Sequence, residues 1–255
     1  MDGEQVREWD GRALGPRVDA PAAALAAADS WLVADGRVRG LELHRARFLG
    51  AVEAAGGTSR SHAEDFFDAA VAALPRTGEA FWRVELAAGT LRLRERPTPK
   101  RTRSVVLWTS PVDPRRVPEW KGPDIARLAV LRARAQAAGA EEAVILDREG
   151  AIVDGASSAV LWWLGDTLVV PPPDSARVQS VTARTLSVLA GALGTDVIEA
   201  PADPASLDGR EVWTANALHG LRLATAWADG PALAAEPGRL DMWRRRLDAL
   251  RRPLP

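Results

Sequence analysis

Between positions 111 and 118 the chain carries three prolines, Pro111, Pro114 and Pro118, with adjacent arginines at 115 and 116. Proline lacks a backbone N–H and fixes φ, so neither a helix interior nor a central strand can run through this stretch. A segment of this kind marks a domain boundary. With 255 residues, the chain is long enough for one large domain or two modest ones. The expected division is a small N-terminal α+β domain at 1–110, a linker at 111–120 and a larger C-terminal domain at 121–255.

Periodicity fills in the two halves. Residues 1–28 are weakly patterned and read as a loop or arm, with some helix over 22–28. Residues 30–33 read as a strand, Asp35-Gly36 as a hairpin turn, and 37–43 as the return strand. From His44 the spacing becomes helical through Phe48, Val52 and Ala55, and Gly56-Gly57 stops it. Ser61 with Glu64 has capping-box spacing for a second helix that ends before Pro75. Strands follow at 81–86, 91–96 and 104–109. After the linker, Pro123 suits the first turn of a helix with apolar positions 125, 128, 131 and 135. Short strands are expected at 143–146, 152–153, 160–164, 167–170, 197–198, 211–214 and 221–227. Helices are expected after Ser180 or Thr182 and over 240–250.

Composition excludes several chemistries. Formal net charge is -1, which gives no electrostatic case for nucleic acid or an acidic membrane surface. There is no cysteine, so disulfides, thiolate catalysis and Cys-ligated zinc are excluded. The three histidines, His44, His62 and His219, lack metal-ligand spacing. The first eight residues are charged without an apolar core, and no apolar run approaches a membrane span. A cytoplasmic protein is therefore the expectation.

Of 33 basic residues only Lys100 and Lys121 are lysines. Arginine can replace lysine as a surface charge but not as a neutral amine nucleophile. Lys100 lies in a basic run, 97–103, where the two are equivalent. Lys121 lies between Trp120 and a helix start, as an interface lysine or a reactive amine. Four polar spots interrupt apolar elements elsewhere: Arg47, Asp154, Ser180-Val181-Thr182 and Asn216. A helix beginning at Val181-Thr182 presents free N–H groups that suit a phosphate. A carboxylate in an apolar hairpin, such as Asp154, needs a cationic or donor partner once buried. A lysine, a carboxylate and a phosphate cradle are together the parts of a pyridoxal-phosphate site.

The order of these parts resembles the class IV, fold-type IV pyridoxal-phosphate enzymes, which include branched-chain and D-amino-acid aminotransferases and 4-amino-4-deoxychorismate lyase. The resemblance runs from about Ser30 to Ala228. Asp35-Gly36-Arg37-Val38 followed by His44-Arg45-Ala46-Arg47 is similar to the family's N-terminal hairpin and His-x-x-Arg helix, which implies that Arg47 contacts the cofactor phosphate. Trp120-Lys121 stands where the family has its Schiff-base lysine, ahead of the segment AGAEEAVILDREG at 138–150. The run 152–161 resembles the segment bearing the carboxylate for the pyridine nitrogen, here Asp154. Ser180-Val181-Thr182 resembles the phosphate loop, with Val181 N–H and Thr182 as ligands. The run 211–222 is similar to the lyase branch, whose Asn-Ala/Ser-Leu pattern appears as Asn216-Ala217-Leu218, and backbone N–H groups of Asn216 and Ala217 would complete the cradle. The chain departs from the family pattern at four places. Asp154 replaces the usual Glu, Ala159 a frequent Asn, and Ala183 the usual Arg, with Arg184 next; no tyrosine exists to bond the cofactor's phenolic oxygen.

The resemblance implies an α+β, two-domain fold-type IV enzyme: a small α/β N-terminal domain and a larger, mixed, β-barrel-like C-terminal domain with flanking helices. It implies pyridoxal 5'-phosphate as cofactor, a homodimer, and conversion of 4-amino-4-deoxychorismate to p-aminobenzoate and pyruvate, a step of folate biosynthesis. Ser30 stands where the lyase has a hydroxyl residue that relays a proton, and Arg222 is the candidate for a substrate carboxylate, equally readable as an exposed strand arginine. The alternatives are a class IV aminotransferase of branched-chain or D-amino-acid type, acting on an amino-acid-like substrate, and an inactive binding or scaffold homologue.

Overall fold

A computed structural model describes residues 4–19 and 23–255. The chain forms two compact units. The first comprises residues up to 100 together with 120–125 and 250–255; the second comprises 101–119 and 126–249. The strand at 104–109 thus belongs to the second unit and Lys121 to the first, whereas the sequence division assigns each to the other half.

In the first unit, β1 (Gln5–Glu8), β2 (Val18–Asp19), β3 (Leu25–Ser30), β4 (Val33–Ala34) and β5 (Arg37–Val38) precede α1 (Leu41–Ala55) and α2 (Arg60–Ala72). After them come β6 (Glu79–Ala80), β7 (Arg83–Ala87) and β8 (Thr90–Glu95). The main sheet is antiparallel in the order β2-β1-β8-β7-β3. Alternation sorts its faces. Val84, Leu86, Leu91 and Leu93 join Trp31, Phe48, Phe66 and Phe67 in one buried cluster with α1 and α2. The opposite face carries Arg83, Glu85, Arg92 and Arg94; register sets Arg83 across from Arg94 and Glu85 across from Arg92. Glu85 accepts bonds from all three arginines at 2.5–2.7 Å, which offsets the like charges.

Three local expectations are corrected. The arm at 1–28 contains paired strands β1, β2 and β3. The helix expected over 22–28 is strand β3 from Leu25, and Ala22 lies outside the described residues. Alanine is the best helix former, but intrinsic propensity is small beside tertiary context, and pairing with β7 overrides it. The expected strand at 37–43 ends at Val38, because Gly40 takes a left-handed conformation (φ 64°) and α1 starts at Leu41. The second helix is capped by Ser59, whose side chain accepts from His62 N–H, rather than by Ser61. The Asp35-Gly36 turn has positive φ at both positions, 48° and 67°, as a two-residue hairpin requires.

The second unit contains β9 (Ser104–Thr109), most of α3 (Ile125–Ala137), β10 (Glu142–Leu146), β11 (Ile152–Gly155), β12 (Ala159–Leu164) and β13 (Thr167–Val170). It continues with α4 (Val181–Ala192), β14 (Val197–Glu199), β15 (Val212–Asn216), β16 (Gly220–Ala228) and α5 (Arg239–Asp248). Its eight strands form one mixed sheet, β11-β10-β9-β16-β15-β12-β13-β14, flanked by helices. β12 shows why: Leu161 and Trp163 face α4 and α5 with Trp213 and Trp243, while Val160 and Trp162 enter a second cluster with Leu107, Val212 and Trp227. Trp163 and Trp213 meet edge-on at 5.1 Å. α3 covers β10 and β11 through Leu131 and Ala135 against Ile145 and Val153. Among the described residues, no helix is long and apolar enough to cross a membrane.

Candidate active site

The first unit gathers Lys121, Arg47 and Ser30 around one carboxylate that the sequence pattern did not single out. β3 is an edge strand, and the segment after Trp120 lies against it. The Ala28 N–H donates to the Lys121 carbonyl at 2.8 Å. Gly122, at φ 146°, sits so close that a Cβ would fall 2.7 Å from Ala27 Cα. This seats the Lys121 side chain beside Asp29, with Nζ 3.9 Å from Oδ1. Helix α1 brings His44 and Arg47, one turn apart, to the same carboxylate. His44 Nδ1 is 2.9 Å from Oδ1, and Arg47 donates through Nε at 2.7 Å and Nη2 at 2.8 Å. Ser30 N–H also donates to Oδ1, while Ser30 Oγ accepts from Arg96 Nη2 at 3.1 Å.

Electrostatics follow from this crowding. Burial opposes ionisation of Asp29, yet Arg47, His44 and Lys121 together hold it well below the usual carboxylate range. Burial pushes His44 down to about 4 against the pull of Asp29. Lys121 keeps 27% of its side chain exposed. Desolvation nevertheless lowers its amine to about 8; Asp29 opposes the change, and Arg47, Arg96 and Arg83 add to it. Lys100 is exposed and takes no part in this cluster.

The second unit contains Asp154, Val181, Thr182, Asn216, Ala217 and Arg222. Asp154 lies on β11, opposite Ile145 and beside a register shift in the β10–β11 pairing, a device that re-aims side chains. Its Oδ1 accepts Gly155 N–H at 3.0 Å, and Oδ2 is 3.5 Å from Arg115 Nη1. Arg115 comes from the proline-rich stretch and is held by both oxygens of Asp113. Burial raises Asp154 to about 7 despite Arg115 and Arg177. At α4, Ser180 Oγ accepts Ala183 N–H and the Ser180 carbonyl accepts Arg184 N–H. The first N–H groups, Val181 and Thr182, have no partner within the helix. α4 packs on β15 through Ala183 and Leu186 against Trp213 and Ala215. At the end of β15, Asn216 Oδ1 accepts the Leu218 and His219 N–H groups, and Nδ2 donates to Ser158 Oγ at 2.9 Å. Arg222 is buried, not an exposed strand arginine; its Nη2 bonds Glu142 and Ser158.

The residues fit the expected cofactor chemically. A desolvated lysine suits an aldehyde. A buried carboxylate whose charge burial penalises would be restored to its ionised form by a cationic ring N–H. A helix start with open N–H groups and a buried threonine suits a phosphate. Sequence reasoning missed Asp29, Arg115 and Glu142. Asp29 was visible only as a polar residue closing the apolar run 25–28; Arg115 read as linker, and Glu142 fell just ahead of the expected strand at 143–146.

The class IV amino-transferase family model matches residues 26–227. No curated protein sequence matches the chain. Among solved structures, a branched-chain aminotransferase from Thermoproteus uzoniensis with norvaline superposes at TM-score 0.82, with 18% identity over 99% of this chain and 100% of that one. A hypothetical aminotransferase from Mycobacterium tuberculosis in its PLP-bound form gives 0.77 at 18% identity, covering 97% and 98%. The branched-chain amino acid aminotransferase of Escherichia coli gives 0.75 at 15% identity, covering 97% and 93%. At such identities these likenesses establish the fold-type IV architecture, and the family match extends across both units: the chain belongs to the class IV aminotransferase family.

Proposed function

We propose that this family member is a pyridoxal-phosphate-dependent lyase that converts 4-amino-4-deoxychorismate to p-aminobenzoate and pyruvate. The chain is a pyridoxal-phosphate-dependent enzyme by its family, and the bound cofactor supplies an electron sink for charge developing beside the substrate nitrogen. Lys121 would hold the cofactor aldehyde and, as a desolvated amine, move protons at the reacting carbon. Asp154 would face the pyridine nitrogen and favour its protonated form. By the family resemblance, Thr182 and the N–H groups of Val181, Asn216 and Ala217 would serve the phosphate from the second unit, as Arg47 would from the first, and Arg222 orders the Glu142–Ser158–Asn216 frame.

Ser30 carries the choice of lyase. It is 2% exposed, its N–H bonds the same Asp29 that neighbours Lys121, and its hydroxyl is held by Arg96. A hydroxyl on the residue that follows Asp29, held by Arg96, would suit delivery of a proton to the departing enolpyruvyl carbon. The elimination consumes no second substrate, so purified protein with cofactor and aminodeoxychorismate releases pyruvate and p-aminobenzoate without an amino acceptor. Amino transfer to 2-oxoglutarate or pyruvate, with no such release, supports the second reading, an aminotransferase of branched-chain or D-amino-acid type. That reading is supported by structural neighbours that include branched-chain aminotransferases. A homodimer is part of the same proposal, tested by light scattering.

A further inference from the structure

Asp29 has no step in the activity above, yet the lysine site is assembled on it. The carboxylate is fully buried. It accepts from Ser30 N–H at 2.6 Å and from Arg47 at 2.7 and 2.8 Å, lies 2.9 Å from His44 Nδ1, and stands 3.9 Å from Lys121 Nζ. These partners come from three places in the chain. β3 supplies Asp29, α1 supplies His44 and Arg47, and the segment pinned to β3 by its Lys121 carbonyl supplies the amine. A buried carboxylate with such partners fixes the geometry of each.

We propose that Asp29 is a positioning residue for the reaction, orienting the Lys121 amine and the Arg47 guanidinium in one charge-paired frame. The inference rests on Lys121 being the reactive amine of the reading above. It has an electrostatic consequence of definite sign. The charged and titratable groups acting on the amine are Asp29 from β3, His44 and Arg47 from α1, Arg83 from β7 and Arg96 just beyond β8. Asp29 is the anion among them, and Arg47 already neutralises it with two bonds. Lys121 therefore stands beside a closed ion pair rather than a bare carboxylate, and losing its proton leaves no buried charge unmatched. Removing the anion must disfavour the ammonium further. Removing Arg47 must release the carboxylate to Lys121 and favour the ammonium.

The test is the pH dependence of Lys121 modification in the full-length protein free of cofactor, using formaldehyde with cyanoborohydride and peptide mass spectrometry, with the Lys100 peptide as reference. Asp29→Asn lowers the Lys121 midpoint by about one pH unit, roughly a tenfold change in the neutral fraction. Asp29→Glu stays near the wild-type value, and Arg47→Gln raises the midpoint. A folded Asp29→Asn protein with the wild-type midpoint overturns the proposal, as do shifts of the same sign in Asp29→Asn and Arg47→Gln. Should Asp29→Asn not fold, by circular dichroism, the Arg47→Gln midpoint decides alone: a rise supports the frame, and no rise overturns it. Cofactor loading does not enter this readout. Failure of pyridoxal phosphate to attach at Lys121 would therefore sink the functional reading while leaving the frame intact.

Discussion

Gly122→Ala probes how the lysine is held. Gly122 sits at φ 146°, a conformation that side chains resist, and its added methyl would meet Ala27 Cα at 2.7 Å and Ala27 N and C at 2.9 Å. All three are backbone atoms of β3, and a strand paired to β7 cannot swing aside as a flexible side chain can. Backbone strain of this kind costs about 1–3 kcal/mol. Overpacking adds about 1–3 kcal/mol more. The two together imply a loss of roughly 2–6 kcal/mol, or local relief by separation of residues 121–122 from β3. Relief breaks the 2.8 Å bond from Ala28 N–H to the Lys121 carbonyl. Hydrogen exchange followed by mass spectrometry on the peptide spanning 25–30 reads this directly. The Ala28 amide is expected to lose protection by about tenfold for each 1.4 kcal/mol, so at least tenfold in total. Unchanged protection, together with unchanged denaturant midpoint, would refute the close approach from which the placement of Lys121 is argued.

Two further predictions follow from buried charge. Glu142 is fully buried against Arg222, so Glu142→Gln leaves a guanidinium without its anion and costs about 3–5 kcal/mol. Urea unfolding followed by tryptophan fluorescence measures it, and a loss under about 1 kcal/mol would show that the pair is not buried as described. His44 is held at about 4 in the folded protein against an ordinary 6.5, so the unfolded chain binds the extra proton between those values. Stability is then complete above pH about 6.5 and declines, on the order of 3 kcal/mol from this group, as pH falls toward about 4. His44→Asn should flatten that part of the curve, and an equal slope in variant and wild type would contradict it.

Much of the chain was legible before the structure, for physical reasons that particular residues show. The Asp35-Gly36 hairpin, the helix stop at Gly56, and the strands at 104–109 and 167–170 rest on local chemistry, and each appears. The helix at 181 was readable because Ser180 is a good cap ahead of an apolar period. β3 was not readable, because its alanines favour helix and only pairing with β7 makes them a strand. The assignment of Lys121 to the first unit was likewise hidden. It depends on a backbone bond to Ala28 and on a glycine fitted against Ala27, contacts between residues far apart in sequence. The polar partners were hardest. Asp29, Arg115 and Glu142 acquire meaning only when strands and loops bring them to His44, Asp154 and Arg222.

The most direct test of the central claim uses the fact that the chain has two lysines. Purified protein is loaded with pyridoxal phosphate, reduced with borohydride and mapped by peptide mass spectrometry. The account predicts a phosphopyridoxyl group on Lys121, absent from Lys100, and loss of both the adduct and the visible absorption band in Lys121→Ala. Label on Lys100 alone, or an unchanged band in Lys121→Ala, would contradict it.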